Sequence, residues 1–392
     1  MQSILYPRGI PLWRNVVFIQ WVVQIISAVV VIAIVSGFIF NVANEIQDRE
    51  IPFGFNFLDD AAQIPIGESV IDYDPSQSYL YGFTVAALNT VKASVLGVVL
   101  ATILGIIIGV SRLSSNWLLS RLALVYIDTF RNIPLLIQLL FWFLIILELP
   151  NVREGYVFFD AFYLNNSGFY HPWVSPLGGF WPWAILTLIG IATAVIAHNL
   201  LQKREAETGK PSYPIIAGFV IFIVVTVIGL IIFTPLDLVA PERQEGPFGR
   251  LQGGARLTGS FFALLIGLVV YTSAFIAEIV RAGIQAVNRG QTEAARSLGL
   301  HTNASLRYVI FPQALRVIIP PLISQYLNLT KNSSLAAAIG YPDLVSVSTT
   351  MTQIAPAISL IGMVMVTYLA MSLFYSLIGN IYNRITRYAG VG

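Results

Sequence analysis

The sequence predicts an all-α integral membrane protein, a polytopic bundle of about eight transmembrane helices. Three observations carry that class. Of 392 residues, 56% are hydrophobic and only 11% charged, and the mean hydropathy of +0.75 lies far outside the range of soluble domains. A hydrocarbon core about 30 Å thick needs roughly 20 helical residues per crossing. Stretches of that kind fall at 16–40, 84–110, 122–148, 181–199, 214–235, 259–282, 314–339 and 356–382. None alternates apolar and polar residues with the two-residue period of a membrane barrel, so helices must satisfy the backbone inside lipid.

The first run, VVFIQWVVQIISAVVVIAIVSGFIF at 16–40, is too long for a secretion-signal core and lacks a small-residue cleavage site. It is expected to stay as a first helix. Residues 41–83 follow with Glu45, Asp48, Glu50, Asp59, Asp60, Glu68, Asp72 and Asp74, a charge run that reads as a solvated loop. After the spans at 84–110 and 122–148, the segments 149–180 and 236–258 are rich in Pro, Gly, Asn and aromatics, as in NNSGFYHPWVSPLGGFWPW. That composition predicts turn-rich outer loops with Trp and Tyr at the membrane interface and no separate soluble domain. Between them, the spans at 181–199 and 214–235 are joined by the polar QKREAETGK.

Lys and Arg in the loops orient the chain. With a cytoplasmic N-terminus, the inner segments hold Arg8, Arg14, Arg112, Arg121, Lys203, Arg204, Lys210, Arg281, Arg289, Arg296, Arg307, Arg316, Arg384 and Arg387. The outer ones hold only Arg49, Arg153, Arg243, Arg250 and Arg256. Both termini are expected inside.

Several function classes drop out. A net charge of +2 with no basic aromatic-rich patch argues against nucleic-acid binding. There is no Cys for a disulfide framework, thiolate metal site or thiol nucleophile. His171, His198 and His301 are too scattered for a metal site, and no Ser-His-acid constellation is visible, so a membrane-embedded enzyme is disfavoured. No G-x-x-x-x-G-K-[ST] phosphate loop occurs.

Ionisable and polar groups in hydrocarbon are costly unless paired or wet, so each is a candidate for function. Arg131 follows Asp128 by three and Arg281 follows Glu278 by three, which allows each pair to neutralise along its helix. Such pairs either line an inner gate or are structural pairs near the membrane surface. Gln325, Asn328 and Asn332 share one helical stripe, with Pro320-Pro321 a turn earlier where a kink or unwound backbone is expected. The stripe should face the bundle interior, a water-filled path or a second subunit, and interhelical hydrogen bonding is the competing role. Gln138, one turn beyond Pro134, is a similar candidate. Lys331 could meet a substrate carboxylate or reach the headgroups.

The most polar inner segment is 283–313. A helix through TEAARSLGL places Glu293 beside Arg296 and Ser297, while Ala294, Ala295 and Gly299 make a small-residue patch that another backbone can approach closely. Gly290 is expected to end the preceding helix and Pro312 to open the next. The product is a short helix across the membrane face, shaped to be gripped.

EAARSLGLHTNASLRYVIFP resembles the EAA loop of the membrane subunits of binding-protein-dependent ABC importers, with Glu293, Ala294, Ala295, Gly299 and Pro312 at that spacing. The resemblance implies a type I ABC importer transmembrane core whose loop is the coupling helix. YIDTFRNIPLLIQLLF, AFIAEIVRAGIQAVNRGQTEAARSLGL and FPQALRVIIPPLISQYLNLTKNSSLAAAIG are similar to the polar amino-acid branch, the histidine and glutamine permeases. The added spans resemble those of long permease subunits of general L-amino-acid importers. Departures are Val309 and Phe311 in the loop, Asn132 and Ile133 before Pro134, Phe275 for a Tyr, and Asn332 for the usual Asp after Lys331.

This likeness implies four parts: 1–83, an additional N-terminal helix and outer loop; 84–148, the first part of the core; 149–258, an insertion with two extra spans; and 259–392, the second part. The implied function is a permease subunit that moves L-amino acids, polar or charged and of broad range, into the cytoplasm. Its implied partners are two ATP-binding subunits carrying ATP and Mg, a related second permease, and an external solute-binding protein. The chain itself would bind no cofactor. An opine or amino-acid derivative is the alternative cargo, and an ion-driven secondary transporter the alternative class, which would need no coupling helix.

Overall fold

The computed structural model describes residues 15–177, 179–209, 212–234, 236–244 and 250–386. Arg8, Arg14, Lys210 and Arg387, used above for orientation, lie outside the described residues. Among the described residues, seven helices are long and apolar enough to cross a membrane, and a pair of shorter helices bent by 105° raises this to eight if the pair counts as one span. Two compact units are defined: the chain up to Leu88 with Leu344–Leu373, and Asn89–Asp343 with the chain from Phe374 on.

In the first unit, α1 (Val16–Asp48) starts at Asn15, whose side-chain oxygen accepts from the N–H groups of Val17 and Phe18. None of its residues is buried, and it ends in a Glu45–Arg49 ion pair. The segment expected as a solvated loop is partly folded. Ala62 and Ile64 are buried with Tyr79 and Phe83 of α2 (Tyr79–Arg112), with Leu344, Val347 and Met351 of a short helix, Leu344–Met351, and with Leu360. Gly54 N–H donates to the Ser359 hydroxyl at 3.1 Å. Ser76 donates both its N–H and its hydroxyl to Asp74, and this holds that carboxyl below its ordinary range. Asp59, Asp60, Asp72 and Asp74 are exposed, as a solvated acidic surface requires.

The second unit carries the remaining spans. Where one straight helix was expected over 122–148, the chain forms α3 (Trp117–Asn132) and α4 (Leu135–Leu147) at 105° to each other. Pro134 explains the break: its ring forces the preceding residue out of the helical region, and Ile133 is extended at φ −94°, ψ 126°. The carbonyls freed there do not go unmet. Gln138 donates its amide to Phe130 O at 2.9 Å and Ile133 O at 3.0 Å.

α5 (Phe180–Thr208) and α6 (Pro214–Phe233) form a hairpin that packs on itself, with Gly190 under Val225, Gly229 under Trp183, and the Trp183 indole donating to Thr226 O. Then come α7 (Gly259–Gln285), α8 (Arg289–Ser297), α9 (Thr302–Ser305), a π turn (Leu306–Ile310) and α10 (Phe311–Asn332) with a 3-10 extension, Ser333–Ile339. The short helix Leu344–Met351 is α11, and α12 (Ala357–Thr386) closes the described chain. The core is built on α7, with Phe261, Leu264, Leu268, Ile276 and Val280 buried together with Leu139, Ile318 and Leu329. Close helix crossings there need small residues: a Cβ on Gly105 would meet Ile276 at 2.6 Å, and one on Gly267 would meet Leu139 at 2.5 Å.

Three further expectations change. Gly290 lies inside α8 rather than ending the helix before it, which stops at Gln285. α10 runs through Pro320 and Pro321 as one helix, its flanking turns held by buried Ile318 on one side and Leu329 and Thr330 on the other. The outer segments also fold. β1 (Tyr156–Phe158), β2 (Phe162–Asn165), β3 (Gly168–His171) and a strand at Ala255–Thr258 form one antiparallel sheet in that order. β4 (Trp173–Pro176) pairs with β5 (Leu236–Val239), and β6 (Glu242–Arg243) with β7 (Leu251–Gln252), which makes the Ala255–Thr258 strand β8. Strands of two to four residues are too short to show a periodicity in sequence, and the β3–β8 pairing joins segments far apart in the chain.

Candidate functional site

α8 is set up by its ends. Asn288 opens it by accepting from Gly290 N–H at 2.8 Å, and Gly299 closes it in the left-handed region at φ +76°. The N–H of Leu300 returns to Ala295 O at 3.1 Å, and the Ser297 hydroxyl donates to Glu293 O at 3.0 Å. Gln313 on α10 donates to Gln291 and ties the helix down. Pro312 sits exposed in the first turn of α10. The small-residue patch is split. Ala295 turns inward and is 2% exposed, while Glu293, Ala294, Arg296, Ser297 and Gly299 face outward. Glu293 makes no ion pair with Arg296 among the described residues. Leu298, which the sequence did not single out, is 81% exposed beside them and adds a large apolar side chain to this face.

α10 has two unlike sides. On one, the Tyr326 and Thr102 hydroxyls meet at 2.9 Å, Thr330 donates to the Tyr375 hydroxyl at 3.0 Å, and Leu329 packs at Gly97. On the other, Gln325, Asn328, Lys331 and Asn332 have no side-chain hydrogen bond or ion pair among the described residues. Asn328 and Lys331 are exposed, and Gln325 and Asn332 half-buried. Gln138 does not join them: it is 4% exposed and its amide hydrogens are spent on the α3–α4 break.

At the ends of α3 and α7, Glu278 and Arg281 pair through two contacts of 2.9 and 2.5 Å, and Arg281 also reaches Gln285. The Asp128–Arg131 pair expected by spacing is not made. Arg131 instead lies over the Phe275 ring at 5.1 Å from its centroid. Phe275 lies about one turn before Glu278 on α7, so Arg131 brings a second cation to this end of the helix.

Sequence reasoning missed a second polar group. Lys92 on α2 lies 4.3 Å above the Phe261 ring, Asn89 donates to Pro342 O at 2.9 Å, and Tyr341 donates to Asn89 O at 3.1 Å. Asn89, Tyr341 and Asp343 are all 0% exposed. The signal was available, because Lys92 is the single charge in the run 84–110 and Asn89 lies one turn before it. No group of His, Cys, Asp or Glu among the described residues could hold a metal ion.

The fold defines a many-span helical membrane protein that presents a short polar helix at a loop between two spans. Residues 211–389 match the family described as binding-protein-dependent transport system inner membrane component. The Escherichia coli (strain K12) permease protein YhdX is 45% identical over 372 residues, covering 93% of this chain and 93% of that protein. The general L-amino acid transport system permease protein AapQ of Rhizobium johnstonii is 39% identical and covers 95% of this chain and 92% of that one. The glutamate/glutamine/aspartate/asparagine transport system permease protein BztB of Rhodobacter capsulatus is 36% identical, covering 92% of each. The chain belongs to this family of inner-membrane permease subunits of ABC importers. It is a multi-pass transport subunit rather than an enzyme, and the family works with ATPase and binding-protein partners.

Proposed function

We propose that this subunit carries L-amino acids of broad range into the cytoplasm, forming one half of a route whose other half is a related second permease. The names of its full-length relatives support amino-acid cargo. The observation that carries the route is the unpaired stripe of Gln325, Asn328, Lys331 and Asn332 on the side of α10 opposite Tyr326 and Thr330. Polar side chains left open in a span are expensive against lipid and inexpensive against water or a partner. Amides donate and accept without fixing a charge, so they hold an ammonium and a carboxylate while leaving side-chain choice permissive.

In this reading both termini are cytoplasmic, α8 is the coupling helix, and Glu293, Ala294, Leu298 and Gly299 meet a cleft on one of two ATP-binding subunits, which hold the ATP and Mg. Ala295 sets the helix from within, and Pro312 opens the next span. Glu278, Arg281 and Arg131 form a charged cluster at the inner gate. Residues 84–148 and 259–392 act as the permease core, with 1–83 and 149–258 as additions. An external solute-binding protein delivers the cargo and sets most of the choice among amino acids.

The test is uptake of acidic, neutral and basic amino acids by the reconstituted complex, with Asn328→Ala and Asn332→Ala beside the parent. Loss of one such hydrogen bond is worth about 0.5–1.5 kcal/mol, or roughly two- to tenfold in rate or affinity. Parental transport of every amino acid by both variants would make the stripe structural.

A further inference from the structure

The hairpin of α5 and α6 carries a groove along its own seam. The two helices come close where Gly218 faces α5: a Cβ there would meet Ala194 O at 3.2 Å and His198 Cβ at 3.8 Å. Beside this crossing a cavity of about 380 Å³ is walled by Ile191, Ala194, Val195, Ile215, Phe219 and Phe222. A second cavity, of about 580 Å³, shares Ile215 with it and reaches Gln202, Glu205, Tyr213 and Pro214. Ile191, Val195 and Phe219 are exposed, so the apolar part lies open along the side of the hairpin.

Composition sets the depth of each part. The apolar run of α5 ends near Asn199, yet the helix continues through Gln202-Lys203-Arg204-Glu205 to Thr208, and α6 begins its own run at Pro214. Ile191 to His198 is about 10 Å of helix, most of the roughly 15 Å of hydrocarbon in one leaflet, which leaves Gln202 and Tyr213 at its edge. Lipid tails are as apolar as the groove's wall, so the wall gains nothing from one chain over another and any choice of occupant falls to the polar mouth. Gln202 and Glu205, three apart, share a helix face there. Gln202 and Tyr213 are exposed, and their side chains have no hydrogen-bond partner among the described residues. Glu205 is half-buried, and its carboxylate accepts one long bond, 3.4 Å, from Ser212 N–H. Lys203 and Arg204 do not line the mouth, so among the described residues its charge is the Glu205 carboxylate.

We propose that this groove binds a phospholipid whose headgroup ends in a primary ammonium, a phosphatidylethanolamine. One acyl chain lies along Val195 and Phe219, the Gln202 amide and the Tyr213 hydroxyl donate to the phosphate, and the headgroup ammonium donates to the Glu205 carboxylate. A headgroup with net negative charge would set that charge against Glu205, and a trimethylated ammonium has no N–H to donate. The ligand comes from the bilayer, so the site needs neither a particular side of the membrane nor a particular cargo.

The experiment takes the whole complex, delipidated in mild detergent, and titrates it with phosphatidylethanolamine, phosphatidylcholine and phosphatidylglycerol of identical acyl chains while native mass spectrometry counts bound lipid. The parent should hold phosphatidylethanolamine about fivefold or more tightly than the other two, the worth of one charge-assisted bond at a half-buried site. Glu205→Gln keeps an acceptor for Ser212 and removes the charge, and with it the preference. Val195→Trp, at an exposed position on the groove's wall, should weaken all three lipids together. Equal binding of the three by the parent, a preference for phosphatidylglycerol, or a preference that survives Glu205→Gln overturns the proposal. Soluble phosphoethanolamine should not displace the bound lipid; displacement would make the ligand a solute rather than a membrane component and overturns it too. In lipid nanodiscs, a photoactivatable benzophenone side chain at position 195 should give an adduct with phospholipid, and an adduct with a partner subunit would mean that protein fills the groove instead.

Discussion

The hydroxyls of Tyr326 and Thr102 meet at 2.9 Å, one of three contacts that fix which way α10 is turned. With Tyr326 pinned to α2, Leu329 at Gly97 and Thr330 against Tyr375, the face bearing Gln325 and Asn328 must look away from the subunit's core. Tyr326→Phe deletes the contact without changing shape, and Thr102 keeps its bond to Val98 O. The expected cost is about 0.5–1.5 kcal/mol. It should appear as a melting point lowered by a few degrees and a reduced uptake rate, with binding of the ATP-binding subunits intact.

Gly299 offers a sharper test of coupling. Nothing lies within 4 Å of a Cβ built there, so the residue is not glycine for want of room inside this chain; its φ of +76° is the reason. Gly299→Asn, which tolerates that backbone, should keep α8 formed and isolate any steric effect at a partner. Gly299→Val should both strain the turn, by about 1 kcal/mol or more, and crowd the partner. Substrate-stimulated ATP hydrolysis should fall in the order parent, Asn, Val, with normal membrane insertion in all three. Equal stimulation in all three would detach this loop from coupling.

Gln138 spans the α3–α4 break, donating to a carbonyl on each side of the last turn of α3, while Asn132 donates to Asp128 O. Gln138→Leu leaves the part-buried carbonyls of Phe130 and Ile133 without their side-chain donor, at about 0.5–1.5 kcal/mol for each lost bond. The variant should lose detergent-solubilised thermal stability more than any stripe variant does. A stability equal to the parent's would mean that the break is held by packing alone.

The hairpin α5–α6 should behave as an independent addition. A Cβ at Gly190 would meet Val225 at 2.9 Å, so Gly190→Leu pushes the two helices apart. The cavities there, about 580 Å³ beside Gln202 and Glu205 and about 380 Å³ beside His198 and Phe222, are lined by the hairpin's own residues. Uptake per inserted complex should stay near the parent's while the melting transition broadens. A substrate crosslink to either helix would contradict a peripheral role.

What could be read in the sequence follows from how far each signal reaches. Spans are legible because 20 apolar residues leave no other fold in lipid, and α8 because small and charged residues recur at helical spacing. The break at Ile133-Pro134 was hidden by the apolar run around it, although the proline rule predicts it. The outer sheet was hidden because its strands are short and its pairing is nonlocal. Spacing brought Asp128 within reach of Arg131, but it could not show that the Phe275 ring of another helix offers Arg131 a competing site.

Glu278 gives the last prediction, because one carboxylate there answers more than one cation. Arg281 contacts it directly, and Arg131 lies over the Phe275 ring, about one turn before it on α7. Glu278→Gln therefore leaves two cations without their carboxylate, whereas Arg281→Gln removes one cation and keeps the carboxylate for the other. The glutamate variant should be the more damaging in ATP-driven uptake. Replacing both residues should recover part of the loss, since removing one partner strands a charge and removing two does not. With both side chains about a third exposed, the coupling in a double-mutant cycle should be roughly 1–2 kcal/mol, between a surface pair and a buried one. Additive losses would mean that Arg281 is only a surface partner, and the gate would have to be sought at Arg131 and Phe275.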